Sequence, residues 1–175
     1  MRRFLPALAL MVVLGALFAL ALLLWWVLLP VAALLVLWAI GALALKGWRD
    51  ARAVRRFRAV WGVQGKDLLI VYSNSPNWQS YIESVWLPRW GERAVLLNWS
   101  ERARWTEDAP PEVELFRRVG GRTEFNPLAV VVPRRGPVRV IRFWRAFRDF
   151  KHDREDTLRS AEEQLARALA PRQGG

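Results

Sequence analysis

The pattern of hydrophobic and polar positions divides the chain into two unlike parts. From Phe4 to Leu45 the sequence has 42 residues without a charged or polar side chain. As a helix this stretch is about 63 Å long, roughly twice the 30 Å hydrocarbon core of a bilayer. A single crossing would leave about 20 apolar residues in water. The pattern therefore predicts a transmembrane helical hairpin over residues 1–46.

Tryptophan and proline positions indicate where the hairpin turns. Trp25 and Trp26 lie about one crossing after the start of the apolar stretch, and Trp48 lies about one crossing later. Tryptophan is enriched at membrane–water interfaces. Pro30 can end one helix or begin the next. The predicted helices are 4–25 and 30–46. A re-entrant hairpin that does not cross fully fits the same pattern.

Positive charges on both flanks of the apolar stretch predict its orientation. Arg2 and Arg3 precede it, and six basic residues follow it within 13 positions. Basic flanks stay in the cytoplasm, so we expect both ends of the hairpin, and the soluble domain, on the cytoplasmic side of an inner or plasma membrane. A cleaved signal peptide ending near residues 19–21 is the alternative. Cleavage there would still leave about 25 apolar residues as an anchor.

The segment 47–65 is predicted to be a basic amphipathic helix followed by a linker. Its apolar residues recur every three or four positions, and arginines fill the other faces. Such a helix can lie in the headgroup region of a membrane with anionic lipids as partners. The alternative is that the apolar stripe packs on the soluble domain. The predicted membrane-interface residues are Trp25, Trp26, Trp48, Arg49, Arg52, Arg55, Arg56 and Arg58.

The remaining residues, 66–175, read as one α/β domain in which strands and helices alternate. Apolar, β-rich runs at 67–72, 93–99, 128–132 and 138–143 predict four strands, the first two parallel and the last two antiparallel. Helices are predicted after Ser75-Pro76, from Pro110, and from an Asp153 cap onward. The resulting order is β-α-β-α-β-β-α.

This order resembles the thioredoxin-like fold superfamily. Two prolines support the resemblance: Pro127 precedes the third strand, where that family has a cis-proline, and Pro76 opens the first helix near the family's Cys-x-x-Cys pair. Ser75 and Trp78 stand at the two cysteine positions, and the chain has no cysteine, so thioredoxin-type redox chemistry is excluded. Glutathione transferases are related and some use a serine near this point, but their second, helical domain is missing here.

A candidate ligand site is predicted at the end of the first strand. Open α/β sheets bind ligands at the carboxyl ends of their strands, and a helix start offers N–H groups to an anion. The predicted ligand-binding residues are Ser73, Ser75, Asn77 and Pro127. The alternative is that Ser75 only caps the helix and the asparagines only form the turn.

A second candidate surface is basic. The chain carries a formal net charge of +11, and six arginines precede the acidic Asp149 without an intervening acid. They are Arg134, Arg135, Arg139, Arg142, Arg145 and Arg148. Interleaved aromatic residues suggest nucleic-acid binding, whereas a solvated face or an anionic membrane contact is the simpler interpretation and makes nucleic acid an unlikely partner.

Other site chemistry finds little support in the residue types present. The single histidine, His152, lies among acidic residues at a predicted helix start, which favours a cap over a metal site. No metal, cofactor or catalytic residue is predicted. The sequence leaves catalysis open but favours a non-enzymatic cytoplasmic module that binds a protein partner or an anionic lipid surface. The alternatives are an enzyme for a phosphorylated or lipid-linked substrate at residues 72–77, and nucleic-acid binding through residues 134–148.

Overall fold

The computed structural model describes residues 5–105, 109–120 and 126–170 and divides into two compact units, Met1–Gly47 and Trp48–Gly175. Arg2 and Arg3, used above to orient the chain, lie outside the described residues. The boundary between the units falls where the sequence predicted a separate segment, 47–65. Residues 48–60 belong to the second unit, which has a mixed α/β fold.

The first unit consists of helix α1, which begins at Leu5 and continues to Val60 in the second unit. It is the one helix among the described residues that is long and apolar enough to cross a membrane. The most apolar part of this helix contains no buried residue. By length and composition, α1 meets the requirement for a membrane-spanning helix.

The predicted hairpin is not confirmed, because residues 27–29 are helical and α1 passes through Pro30 without ending. The expected turn has no glycine or polar residue to favour a chain reversal, and leucine is a good helix former. Proline lacks one N–H donor, which a helix tolerates locally. The inference that both basic ends lie on one side depended on the hairpin and loses its structural basis.

The second unit contains a four-stranded sheet flanked by helices. Its strands are β1 (Leu68–Tyr72), β2 (Ala94–Asn98), β3 (Leu128–Val131) and β4 (Arg139–Arg142). Its further helices are α2 (Gln79–Tyr81), α3 (Leu87–Trp90), α4 (Pro111–Val119), α5 (Trp144–Phe150) and α6 (Asp156–Leu169). The strand order is β2-β1-β3-β4. As predicted, β1 and β2 are parallel and β3 and β4 antiparallel.

Alternating side chains of the sheet enter two separate cores. Leu68 and Ile70 of β1 pack on one face with α3, α5 and α6, while Leu69 and Val71 pack on the other with α1 and α4. All five residues of β1 are buried, as expected for a strand covered on both faces. The unit therefore has three layers, helix, sheet and helix.

The last turns of α1 are part of the second core. Ala53 and Phe57 have no exposed surface, and Phe57 packs in the cluster that contains Leu69 and Val130. In the predicted linker, Gly62–Gln64 forms a 3-10 turn, and Gly65 closes it with a positive φ of 78°. One tight turn therefore connects the end of α1 with β1.

Three local features differ from the sequence prediction. The helix after β1 begins at Gln79 and contains a π-helical segment at Ile82–Trp86. This segment ends two residues before Pro88, which has no N–H to donate in the α-helical pattern. Helix α5 was not predicted. Asp153 does not cap the last helix, because it lies in a turn with φ of 59° between α5 and α6.

We predict that Phe57→Ala lowers the free energy of unfolding of residues 48–175 by about 3–5 kcal/mol, because it leaves a cavity against the sheet. The control is Val60→Ala on the same helix, where the side chain is 42% exposed and the expected change is within about 0.5 kcal/mol. Urea denaturation followed by tryptophan fluorescence measures both. Equal effects of the two substitutions would contradict the packing described for α1.

Candidate functional site

The four predicted ligand-site residues gather at one end of the sheet. Ser73, Ser75 and Asn77 follow β1, and the pairing of Val71 with Leu128 places Pro127 at the same end, just before β3. The Asn126–Pro127 peptide bond is cis, and the carbonyl oxygen of Pro127 accepts a hydrogen bond from the N–H of Phe143 at 2.9 Å.

Hydrogen bonds between polar side chains tie this loop to the end of β2. The side-chain amide of Asn98 donates to Oδ1 of Asn74 at 2.7 Å, and its own oxygen accepts from the N–H of Ser100 at 3.0 Å. Lys151 of the turn after α5 donates to Oδ1 of Asn77 at 3.3 Å. The ends of the two parallel strands are thereby held together by side-chain amides.

The backbone N–H groups that an anion would need already donate hydrogen bonds to oxygens of the protein. The N–H of Asn74 donates to Oγ of Ser100 at 3.0 Å, and the N–H of Asn77 donates to Oγ of Ser75 at 3.4 Å. The next two N–H groups donate to the carbonyl oxygen of Ser75 at 3.2 and 3.0 Å. These contacts are those of a turn, and they favour the turn interpretation over the anion site. Ser75 does not cap the helix, because the helix begins at Gln79 and its N-cap residue is Trp78, which makes no side-chain capping bond.

The electrostatic environment of the loop points the same way. Burial raises the pKa of the Tyr72 hydroxyl above its usual value of 10.0, and the carboxylates of Glu83 and Glu101 raise it further. Carboxylates that disfavour a phenolate also disfavour a phosphate at the same place. The ammonium of Lys151 is the cation that contacts this loop, through Asn77.

A carboxylate that the sequence did not single out organises the neighbouring core. One oxygen of Glu162 in α6 accepts hydrogen bonds from the hydroxyl of Tyr81 at 2.9 Å and from the indole N–H of Trp86 at 2.8 Å. Burial, followed by this hydrogen bond, raises the pKa of Tyr81 from 10.0 to about 12. Only the stripe on α6 was visible in the sequence, since Glu162 lies beside it as one of several acids.

The predicted membrane-interface residues divide between the domain and the surface. Arg56 pairs with Glu114, and Arg58 donates to the carbonyl oxygen of Gly136 at 3.1 Å. The predicted lipid stripe fails at its C-terminal half: Val54, Phe57 and Trp61 pack on the second core. The exposed members on the helix are Trp25, Trp26, Trp48, Arg49, Arg52, Arg55 and Arg56, whereas Arg58 is partly buried.

The six arginines of the second candidate surface are all exposed, but the aromatic residues between them are not. Phe143 and Phe147 lie in the core, and Trp144 is partly buried beneath the guanidinium of Arg148 at 5.0 Å. Nucleic-acid binding by base stacking needs exposed rings. Trp86 and Trp90 are likewise core residues.

Within the described ranges, no group of three or more histidine, aspartate or glutamate side chains could hold a metal ion. His152 lies in the turn between α5 and α6, where its N–H donates to the carbonyl oxygen of Asp149 at 2.9 Å. Comparison of the chain with protein-family models, with curated proteins and with solved structures finds no match.

We predict that Ser75→Ala lowers the free energy of unfolding by about 1 kcal/mol, since its hydroxyl accepts bonds from Asn77. The matched control is Ser80→Ala at an exposed helical position, for which we expect a change within about 0.5 kcal/mol. Denaturation of residues 48–175 measures both. If Ser75→Ala proved as harmless as the control, the stabilising role of the hydrogen bonds from Asn77 would be contradicted.

We predict that Tyr81 ionises only as the pH approaches about 12, whereas an unfolded tyrosine ionises near 10.0. Because the folded pKa is the higher one, the neutral phenol favours folding below pH 10.0, and this stabilisation is lost as the pH rises to about 12. Tyrosinate absorbance in a Tyr72→Phe background measures the pKa of Tyr81 directly.

Glu162→Gln should move the pKa of Tyr81 back toward 10.0, because the hydrogen bond to a carboxylate and its charge both disappear. Glu163→Gln is the control, since Glu163 is exposed and pairs with Arg167 at 3.7 Å. A titration unchanged by Glu162→Gln would contradict the contact between these two side chains.

Proposed function

We propose that the protein is a membrane-anchored, non-enzymatic binding module whose domain is held at the cytoplasmic face of the membrane. The observation that carries this proposal is the continuity of α1 from an exposed apolar stretch into the buried core of the domain. An exposed helix of this hydropathy is stable in lipid and costly in water. Its far end cannot leave the domain without exposing Phe57.

The spacing of tryptophans along α1 supports a crossing directly before the domain. Trp26 and Trp48 are both exposed and lie 22 positions apart, which is about 33 Å of helix and close to one hydrocarbon core. Leu28 to Leu45 between them is free of polar side chains. Two aromatic anchors at this distance suit the two interfaces of one bilayer.

The exposed basic residues support a cytoplasmic domain. Lys46, Arg49, Arg52 and Arg55 lie next to the apolar stretch with their side chains exposed. Positive charges there are retained on the cytoplasmic side and attract anionic headgroups, at about 1 kcal/mol for each residue near the surface. Arg56 and Arg58 contact the domain instead, so they contribute less to the membrane contact.

We further propose that the domain is thioredoxin-like. The support is its strand order β2-β1-β3-β4, with β3 antiparallel to its neighbours on both sides, and a helix between each of the first three strands. This arrangement agrees with the order that suggested the resemblance. A fold of this kind without cysteine keeps its binding surfaces but lacks redox chemistry.

The alternative function, an enzyme for a phosphorylated or lipid-linked substrate at residues 72–77, has weaker support. The loop donors already have acceptors, and Glu83 and Glu101 raise the pKa of Tyr72. Ser75 would need a neighbouring base to act as a nucleophile, and its hydroxyl contacts Asn77 instead. Binding is therefore favoured over catalysis.

We predict that the full chain resists alkaline carbonate extraction of membranes and that a reporter fused after Gly175 is active in the cytoplasm. The fragment 48–175 should be recovered in the soluble fraction. Extraction of the full chain by carbonate would contradict the anchor, and a reporter active only outside the cytoplasm would contradict the orientation.

Changing Lys46, Arg49, Arg52 and Arg55 to glutamine should lower the cytoplasmic fraction of the reporter, because the charges that retain this flank are removed. The matched control changes Arg102, Arg104, Arg159 and Arg167, which are equally exposed but distant in sequence from the apolar stretch. An equal effect of both sets would show that total charge, rather than its position, controls orientation.

A further inference from the structure

Strand β4 forms one edge of the sheet. It pairs with β3 on one side, and the described part of the chain places no strand on its other side. Residues on the free side of an edge strand present N–H and C=O groups that can pair with another chain. The first and last residues of β4, Arg139 and Arg142, are exposed, whereas Val140 and Ile141 between them are partly buried.

A groove of about 410 Å³ lies beside this edge, between β4, α5 and α6. Ile141, Ala146 and Ala161 provide apolar lining, and Arg142 and Arg145 provide positive charge. All these residues belong to the second unit, so the groove is formed within one compact body. Val140 also lines the groove, and small side chains at two of these four apolar positions leave room for the side chain of a partner.

The groove carries positive charge. Arg142 and Arg145, which line it, are exposed, and Arg139 is exposed on the same strand as Arg142. The acid within the groove, Asp149, is only 5% exposed and is paired with Arg154 at 3.1 Å. A partner therefore meets guanidinium groups, which form paired hydrogen bonds with carboxylates.

The shape of the surface favours a polypeptide over the other anionic partners. An edge strand offers backbone groups that an extended peptide can pair with, whereas a flat bilayer cannot enter a groove. Nucleic acid would need exposed rings, and Phe143 and Phe147 are buried. Arginines on an edge strand can also serve only to prevent aggregation with other sheets. That role does not require a groove beside the strand, whereas binding of a peptide side chain does.

We infer that an extended acidic segment of a partner protein adds to the sheet along β4. Its carboxylates pair with Arg142 and Arg145, and its alternate apolar side chains enter the groove next to Ile141. The inference rests on the binding role proposed above, for which it specifies the partner. It does not depend on the membrane anchor.

The test uses the full chain in nanodiscs of neutral phosphatidylcholine and a fluorescent peptide of alternating glutamate and valine, with anisotropy as the readout. We expect saturable binding that weakens about tenfold with Arg145→Glu. Arg118→Glu is the control, since it makes the same charge change at an exposed site on α4, across the sheet. Arg142 is left intact because it also contacts the carbonyl oxygen of Gly120.

Two further peptides separate strand addition from simple charge attraction. A peptide N-methylated at alternate residues cannot donate to β4 and should bind about tenfold more weakly, and a lysine–valine peptide should not bind. Equal loss with Arg145→Glu and Arg118→Glu, or undiminished binding of the methylated peptide, would overturn the inference. If no peptide bound while the chain stayed in the membrane, the acidic partner would be wrong and the anchor would stand.

Discussion

The packing of Phe57 against the sheet is the interaction on which the rest of this structure depends. It lies near the end of a helix whose earlier part is apolar and exposed, and it has no exposed surface of its own. The ion pair of Arg56 with Glu114 and the bond from the indole of Trp61 to Glu112, at 2.8 Å, fasten the same turns to α4. Because these turns complete the second core, the apolar N-terminal stretch and the domain share one helix.

Local sequence patterns predicted the sheet well. The run from Leu68 to Tyr72 has the length and β-branched content of a buried strand, and its neighbours are found where proline and glycine punctuate the chain. Parallel pairing of β1 and β2 followed from the helical segment between them. These features depend on residues close in sequence, which explains why they could be predicted without a structure.

Features that depend on distant residues could not be predicted in this way. An apolar stripe on residues 48–61 fits a lipid surface and a protein core equally well, and only the position of the sheet decides between them. The contact between Tyr81 and Glu162 joins residues 81 positions apart. The groove beside β4 likewise exists only when α5 and α6 are in place.

The loop after β1 and the sheet edge at β4 differ in the hydrogen-bonding groups that they offer a partner. The N–H groups of Asn74 and Asn77 in the loop after β1 already donate to the hydroxyls of Ser100 and Ser75, so little free energy remains to be gained from a ligand. At the edge formed by β4, no other strand of the described ranges pairs with its outer side, and its guanidinium groups are exposed. A binding module that uses its sheet edge rather than its strand ends accounts for both observations.

The continuous helix is the central claim, and its length makes it testable. The chain has no cysteine, so Leu14→Cys and Ala44→Cys can carry two spin labels in nanodiscs. Pulsed electron resonance should give a distance of about 45 Å, since 30 residues rise 1.5 Å each. Antiparallel helices that turn near Pro30 would bring the labels to about 10–20 Å, given their interaxial distance, and that result would contradict the account.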